Sequence, residues 1–346
     1  MRNYLIIGAG AAGTFAAANL AQLDKSAKVV LAEKTRKALS KVRISGGGRC
    51  NVTTSEENPQ RLVLNYPRGH RELLGPFHRF GPKEMVQWLE ERGVRLKTEA
   101  DGRMFPVTDS SQTIIDALMG EALKNGVQVE YEARFDTLPL DEYDAVLLAT
   151  GSSSQGHRLA ESVGHTITPL APSLFTFNVP DPALHALAGT TLRARLTLPE
   201  LKLSETGPLL ITHWGFSGPA ALKLSAWGAE KLHALNYRTK LVVDWEPEET
   251  SGLTKRLKRY LAERGESALH ADEYTIEGRT TNKDEFVTCG GVELKEVDMR
   301  TMRSKIVPNL YFAGEVLNID AVTGGFNFQA AWTTAWHAAH AMSTHP

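Results

Sequence analysis

The chain of 346 residues has little cysteine, almost no net charge and no long apolar run, and each shortage removes a class of protein. Its two cysteines, Cys50 and Cys289, form no C-x-x-C pair and no zinc set, so no metal site is expected and a reducing cytoplasm is. A formal net charge of −1 gives no general attraction to nucleic acid or to anionic membrane, and neither is expected as a partner. No stretch approaches the ~20 apolar residues that span a bilayer. The apolar N-terminal segment is broken by Gly8, Gly10 and Gly13, so it is read as part of the fold and not as a leader. With 42% hydrophobic and 23% charged residues there is material for two domains with real cores.

What is present organises around the first thirty-three residues. Tyr4-Leu5-Ile6-Ile7 runs into Gly8-Ala9-Gly10-Ala11-Ala12-Gly13 and an alanine-rich segment ending at Leu23, which reads as strand, tight turn and helix. Gly8 serves the turn, Gly10 lets the backbone approach a pyrophosphate, and Gly13 lets the helix pack on the strand. The pyrophosphate would sit on the N–H groups at the helix start, where the macrodipole favours negative charge. Val29-Val30-Leu31-Ala32 ends in Glu33, twenty residues after Gly13, the place for an acid on a ribose hydroxyl pair. Glu33 would repel a 2′-phosphate, which favours FAD or NAD over NADP. A basic stretch follows from Lys34 to Arg43, and its five cations have two readings: a solvated face, or partial neutralisation of the pyrophosphate. The run Gly46-Gly47-Gly48 likewise reads either as backbone brought close to a planar or phosphorylated ligand or as a flexible loop.

Several segments together resemble one family, the aminoacetone-oxidase-like FAD-binding flavoproteins of bacteria, within the glutathione-reductase-like FAD superfamily. They are Ser45-Gly46-Gly47-Gly48-Arg49-Cys50-Asn51-Val52-Thr53, Asp101 to Pro106, Thr212-His213-Trp214-Gly215-Phe216-Ser217-Gly218-Pro219, Gly314-Glu315-Val316-Leu317, and Thr323-Gly324-Gly325-Phe326-Asn327-Phe328-Gln329. The resemblance implies FAD as cofactor, with Glu315 on a ribityl hydroxyl and Thr150-Gly151 in the superfamily's A-T-G loop. It extends the expected cofactor contacts to Ala12, Lys34 and Phe135, and to Ser45 through Asn51, Gly314, Gly324, Gly325, Phe326 and Asn327. The helix expected from Phe326 to Ala341 would turn its N-terminal N–H groups toward the flavin N1 and C2 oxygen and favour the anionic reduced form. Arg103 and Phe105 are implied near the flavin, with a structural loop as the equal reading. The β-meander that members usually carry is not expected here, because only Asp136 to Tyr143 joins the strands read at 127–135 and 144–151.

The fold class read from the whole is α/β: a Rossmann-like FAD-binding domain split in sequence, with an inserted mainly β substrate domain and a reduced helical lid. The expected boundaries are 1–171 and 285–346 for the two parts of the FAD domain and 172–284 for the insertion. Helices are expected over 84–91, 113–123, 220–232 and 252–263, the last with Lys255, Arg256, Lys258 and Arg259 on its polar side, a solvated face or a minor RNA contact. Only one dinucleotide fingerprint occurs, so NAD(P)H is expected, if at all, as a transient reductant. The function expected is FAD-dependent oxidoreduction of a small organic substrate, by amine oxidation or by NAD(P)H-linked reduction. A flavin-dependent tRNA-modifying protein and a non-catalytic FAD-binding protein are the alternatives. His213 is the candidate acid/base, with a core histidine satisfied by backbone as the other reading.

Overall fold

The computed structural model describes residues 1–246, 253–265, 267–280 and 287–344. The chain divides into two units, residues 1–170 with 290–346, and Ala171–Cys289. Each has its own hydrophobic core.

The first unit is built on a seven-stranded sheet that contains strand β1 (Asn3–Ile7) and strand β2 (Lys28–Glu33). Its order is Val297–Asp298, Arg303–Ser304, Leu310–Phe312, Ala145–Leu148, β1, β2, Gln128–Tyr131. The last five run parallel and the first two are antiparallel. Leu5, Ile6, Val146 and Leu147 are fully buried, as parallel strands covered on both faces require. Helix α1 (Ala11–Leu23) leaves β1 through the glycine turn. A Cβ on Gly13 would stand 1.8 Å from the Gly8 carbonyl oxygen, so only glycine permits this approach of helix to strand. On its other side α1 meets the C-terminal helix Phe326–Ser343, with Phe15 and Trp332 ring centres 5.5 Å apart. A small three-stranded sheet joins Thr53–Thr54, Arg103–Pro106 and Leu96–Thr98.

The helices expected near 84–91 and 113–123 are Pro82–Glu90 and Ser111–Lys124, the second capped by the Ser110 hydroxyl on Gln112 N. The strand read to Phe135 stops at Tyr131, because Glu132 turns left-handed (φ 59°) and Ala133 N bonds Glu33 O. No strand occurs among residues 132–144. The end of the basic stretch and the triple glycine lie in Ser40–Gly48, helical turns interrupted by non-helical backbone at Ser45, Gly46 and Gly47.

The second unit is an antiparallel seven-stranded sheet. Its order is Asp272–Glu277, Arg238–Asp244, Thr191–Leu198, Leu203–Ile211, Gly215–Ser217, Thr176–Asn178, Arg279–Thr280. Ala194, Leu196 and Leu198 alternate inward, and helix Gly218–Ala234 adds Ala220, Ala221, Leu224 and Leu232 to the same core. The fold class observed is the one the sequence implies, a split Rossmann-like unit and a mainly β unit. The helix read over 252–263 occupies Lys255–Arg264, while its expected first residue, Gly252, lies outside the described residues.

Candidate cofactor site

The site forms where the first unit's parallel strands end. Gly8 is pressed on the loop after Ala145–Leu148, where a Cβ would meet Ala149 O at 2.5 Å. Gly151 (φ 60°) would place its Cβ 3.6 Å from Glu315 Oε2, and a Cβ on Gly314 would strike the Ala12 methyl at 2.9 Å. The fingerprint, the Thr150-Gly151 loop and the Gly314-Glu315 turn therefore converge on the start of α1. Glu33 is held there at both oxygens: Ala9 N donates to Oε2 (3.1 Å), and Thr35 N and Oγ1 donate to Oε1 (2.9 and 2.8 Å). A cleft of about 400 Å³ opens between Gly8, Glu33, Lys34, Ala133, Phe135, Thr150, Ser153 and Gln155.

The residues fit a dinucleotide on two observations. A Cβ on Gly10 would meet nothing within 4 Å, so the turn leaves a cradle beside the backbone. The start of α1 has no capping side chain and no acid in its first turn, which leaves its N–H groups and positive end available to a pyrophosphate. Of the five cations after Glu33, two reach this neighbourhood. Lys34 Nζ donates to Ser153 Oγ (3.1 Å), and Lys41 Nζ donates to Glu315 Oε2 (2.7 Å) and Ser152 Oγ (3.0 Å). Arg36 pairs with the exposed Glu132 and Arg43 donates to Gln112, so those two belong to the surface.

A second group of residues lies along the glycine-rich loop. Gly46, Gly47 and Gly48 take φ of 58°, 67° and 83°, a left-handed run in which a Cβ on Gly46 would press on Asn51 N and Phe105. Gly325 is packed on Thr53 O, 2.3 Å from where its Cβ would stand. The Asn51 amide, with its nitrogen on Thr53 O, accepts from Gly325 N at 2.8 Å and so locks the glycine loop to the start of the C-terminal helix. Phe326 O accepts from the buried Tyr66 hydroxyl (2.6 Å), which fixes that helix start from the far side.

Two expected contact residues, Arg49 and Asn327, are engaged by other parts of the protein. Arg49 pairs with Glu99 (2.6 Å) and Asp109 (3.5 Å) and stacks 4.0 Å from the Phe105 ring centre; its bond to Glu99 holds its pKa above the usual value. Asn327 spends both ends of its amide on Ala321, accepting from N (2.9 Å) and donating to O (3.0 Å). Cys50 is fully buried, and burial pushes its thiol up to about 12, which removes it as a thiolate nucleophile. Arg103 also pairs with Glu99, and Phe105 is fully buried, so both brace the glycine loop. His213 is exposed in the turn before Gly215–Ser217, which excludes the core-histidine reading. Ser153 and Gln155 were not read from the sequence; their signal was the start of helix Ser154–Ser162 directly after Thr150-Gly151. No helix among the described residues is long and apolar enough to cross a membrane.

The sequence matches the family described as HI0933-like protein Rossmann domain over residues 2–149 and 143–341. It is 28% identical to a ribosomal RNA dihydrouridine synthase of Escherichia coli, covering 97% of this chain and 96% of that one. It is 25% identical to a 3-dehydro-bile acid delta(4,6)-reductase of Clostridium scindens, covering 99% of each. Among solved structures, the 3-ketosteroid delta1-dehydrogenase of Sterolibacterium denitrificans superposes with a TM-score of 0.59 at 10% identity over the whole of both chains, a likeness of fold. The chain belongs to the HI0933-like family of FAD-binding Rossmann proteins, and it is an oxidoreductase that uses FAD.

Proposed function

We propose that this protein reduces a carbon–carbon double bond conjugated to a carbonyl, and that its substrate is uridine in ribosomal RNA. The observation that carries the reading is the alignment with a ribosomal RNA dihydrouridine synthase along 97% of the chain. Dihydrouridine is uridine with two hydrogens added across C5=C6, a bond conjugated to the C4 carbonyl. The bile-acid delta(4,6)-reductase is, by its name, also a reductase acting beside an oxidised carbon. Reduction is thus the half of the expected chemistry that these relatives support, and neither is named for amine oxidation. The reading parts from the composition argument, which gave no nucleic acid partner.

Bound FAD would supply hydride transfer, taking two electrons from a reduced nicotinamide and passing them to carbon. The chain's residues do the rest. The open start of α1 and the Gly10 cradle bind the pyrophosphate, Glu33 takes the ribose hydroxyls, and Glu315, anchored by Lys41, takes a ribityl hydroxyl. The acid-free first turn of Phe326–Ser343 would favour negative charge on a flavin held against it. His213, exposed on the second unit, is the candidate acid for protonating the second carbon of the reduced bond.

The test uses the FAD-loaded protein, NADPH or NADH, and unmodified ribosomal RNA made by transcription, with digestion and mass spectrometry as readout. A mass gain of 2 on uridine is expected. Turnover of a steroid enone with no change in RNA would replace the substrate by a small conjugated ketone and sink the RNA reading.

A further inference from the structure

Two surface features of the second unit hold side chains that, His213 apart, the reduction chemistry does not use. The first is the turn Thr212–Gly215. Thr212 N donates to Gly215 O (2.8 Å), and the Thr212 hydroxyl accepts from Trp214 N and Gly215 N (3.2 Å each). Trp214 O accepts from Val179 N (2.8 Å), and Gly215 (φ 140°) fits so closely that a Cβ would stand 2.3 Å from Phe177 O. A turn secured by these backbone bonds holds out an indole that is 62% exposed. Burial would reward a tryptophan strongly, so a rigid mount for an exposed one needs another reason.

The second feature is helix Lys255–Arg264. Leu257, Tyr260 and Leu261 anchor it in the core, and Lys255, Arg256, Lys258 and Arg259 face out. Lys255 with Lys258 and Arg259, and Arg256 with Arg259, stand at the three- and four-residue spacings where like charges repel and weaken a helix. None of the four has a carboxylate partner among the described residues. Arg264, on the same helix, is spent inward on Asp272 (2.6 Å) and Asp181 (3.3 Å). The two features share a support. Arg256 donates to Ala186 O and Tyr260 to Asp181 Oδ2 (2.9 Å), while Asp181 N bonds Val179 O (2.9 Å), whose own N–H holds the Trp214 carbonyl.

We propose that the Trp214 turn and the outer face of helix Lys255–Arg264 form one binding surface for single-stranded RNA. The four cations take backbone phosphates and Trp214 stacks on one base. A cationic track beside an aromatic platform is the combination that single strands bind, and a base to be chemically altered must leave its stack. The proposal rests on the reading of RNA as substrate and names the surface that holds it.

The experiment measures anisotropy of a fluorescein-labelled unstructured RNA dodecamer with the FAD-loaded full chain across a salt series, beside the dihydrouridine assay. Flavin content and melting transition serve as fold controls. Lys255→Gln with Lys258→Gln should weaken binding at least tenfold and make the log K against log salt slope shallower by about 1.4, as two lost phosphate contacts on a single strand require. Trp214→Ala should weaken binding roughly 5- to 100-fold with the slope unchanged, and Trp214→Phe should recover most of it. If the wild type forms dihydrouridine while these variants bind as it does, the surface is wrong and the substrate reading stands. RNA binding lost in the variants, with no dihydrouridine from the wild type, leaves the surface and removes the substrate. A wild type that binds no RNA overturns the surface outright.

Discussion

At the scale of single residues, the decisive positions are those where the backbone has no room or a side chain has no freedom. Gly13 has no room. Its replacement by alanine puts a methyl 1.8 Å from Gly8 O, so helix and strand must part. Overpacking of this kind costs about 1–3 kcal/mol, and here it also opens the turn that holds the pyrophosphate. Gly13→Ala should therefore purify with little flavin and melt several degrees lower, and an unchanged absorbance ratio of flavin to protein would refute the assignment. Cys50 has no freedom: with no exposed surface and its thiol pushed up by burial to about 12, it should resist iodoacetamide at pH 8 in the native protein and react only after denaturation. Cys289 is equally buried, so native labelling should be near zero, and rapid stoichiometric labelling would contradict the buried placement. His213 is the opposite case, exposed and proposed as the proton donor. His213→Gln should slow dihydrouridine formation by roughly 10²–10⁴, the usual worth of a positioned acid, and a rate within twofold of wild type would dismiss it.

At the scale of elements, the start of the C-terminal helix is held by a strap, residues 65–69. Val322 N bonds Asn65 O (3.0 Å), the Tyr66 hydroxyl donates to Phe326 O, Arg68 grips Asp320 with two parallel hydrogen bonds, and Gly69 (φ 82°) lies against Ile319. Asp320 is fully buried, so Asp320→Asn would remove the negative charge that the Arg68 guanidinium grips there. A broken buried pair costs about 3–5 kcal/mol, and chemical denaturation should show a loss of that size with an unchanged m-value. A loss below 1 kcal/mol would mean that the pair is not closed in solution. The strap also marks the boundary of what the sequence makes legible. The Gly8 to Glu33 cleft can be read from the chain because each glycine answers a backbone requirement and Glu33 stands at a set spacing. Phe326–Ser343 can be read because its composition and preceding glycines announce a helix. Which partner a polar side chain chooses leaves no mark in sequence. Arg49 and Asn327 carry the resemblance as fully as Gly46 or Gly325, yet Glu99 and Ala321 claim them. The strap was invisible for the same reason: Tyr66 and Arg68 meet Phe326 and Asp320 from more than 250 positions away along the chain.

At the scale of the whole molecule, balanced charge conceals an uneven response to acid. His157, His165 and His337 are buried in the first unit, and burial depresses the pKa of each below the usual 6.5, against the pull of Val316 O on His157, of Glu296 on His165 and of two carbonyls on His337. The sign follows directly. Above about pH 6.5 folded and unfolded chains both carry these rings neutral, and stability is at its full value. As pH falls through 6.5 the unfolded chain takes up protons that the folded chain refuses, so stability is lost progressively down to the folded pKa values, at no more than about 1.4 kcal/mol per pH unit for each ring. Carboxylates held low in the fold, among them Asp24 by Ser26 and Arg2, add a loss of the same sign at lower pH. Since all three rings belong to the unit that contains the cofactor cleft, and His157 sits against the Glu315-Val316 turn, acid should loosen that unit and release FAD with it. Melting temperature and flavin retention should fall together between pH 7.5 and 5.5. His337→Gln, which can still donate to one of the two carbonyls, should flatten the pH dependence even if it lowers stability at neutral pH. A melting temperature that stays level across this interval would show that the three histidines are not held neutral by the fold.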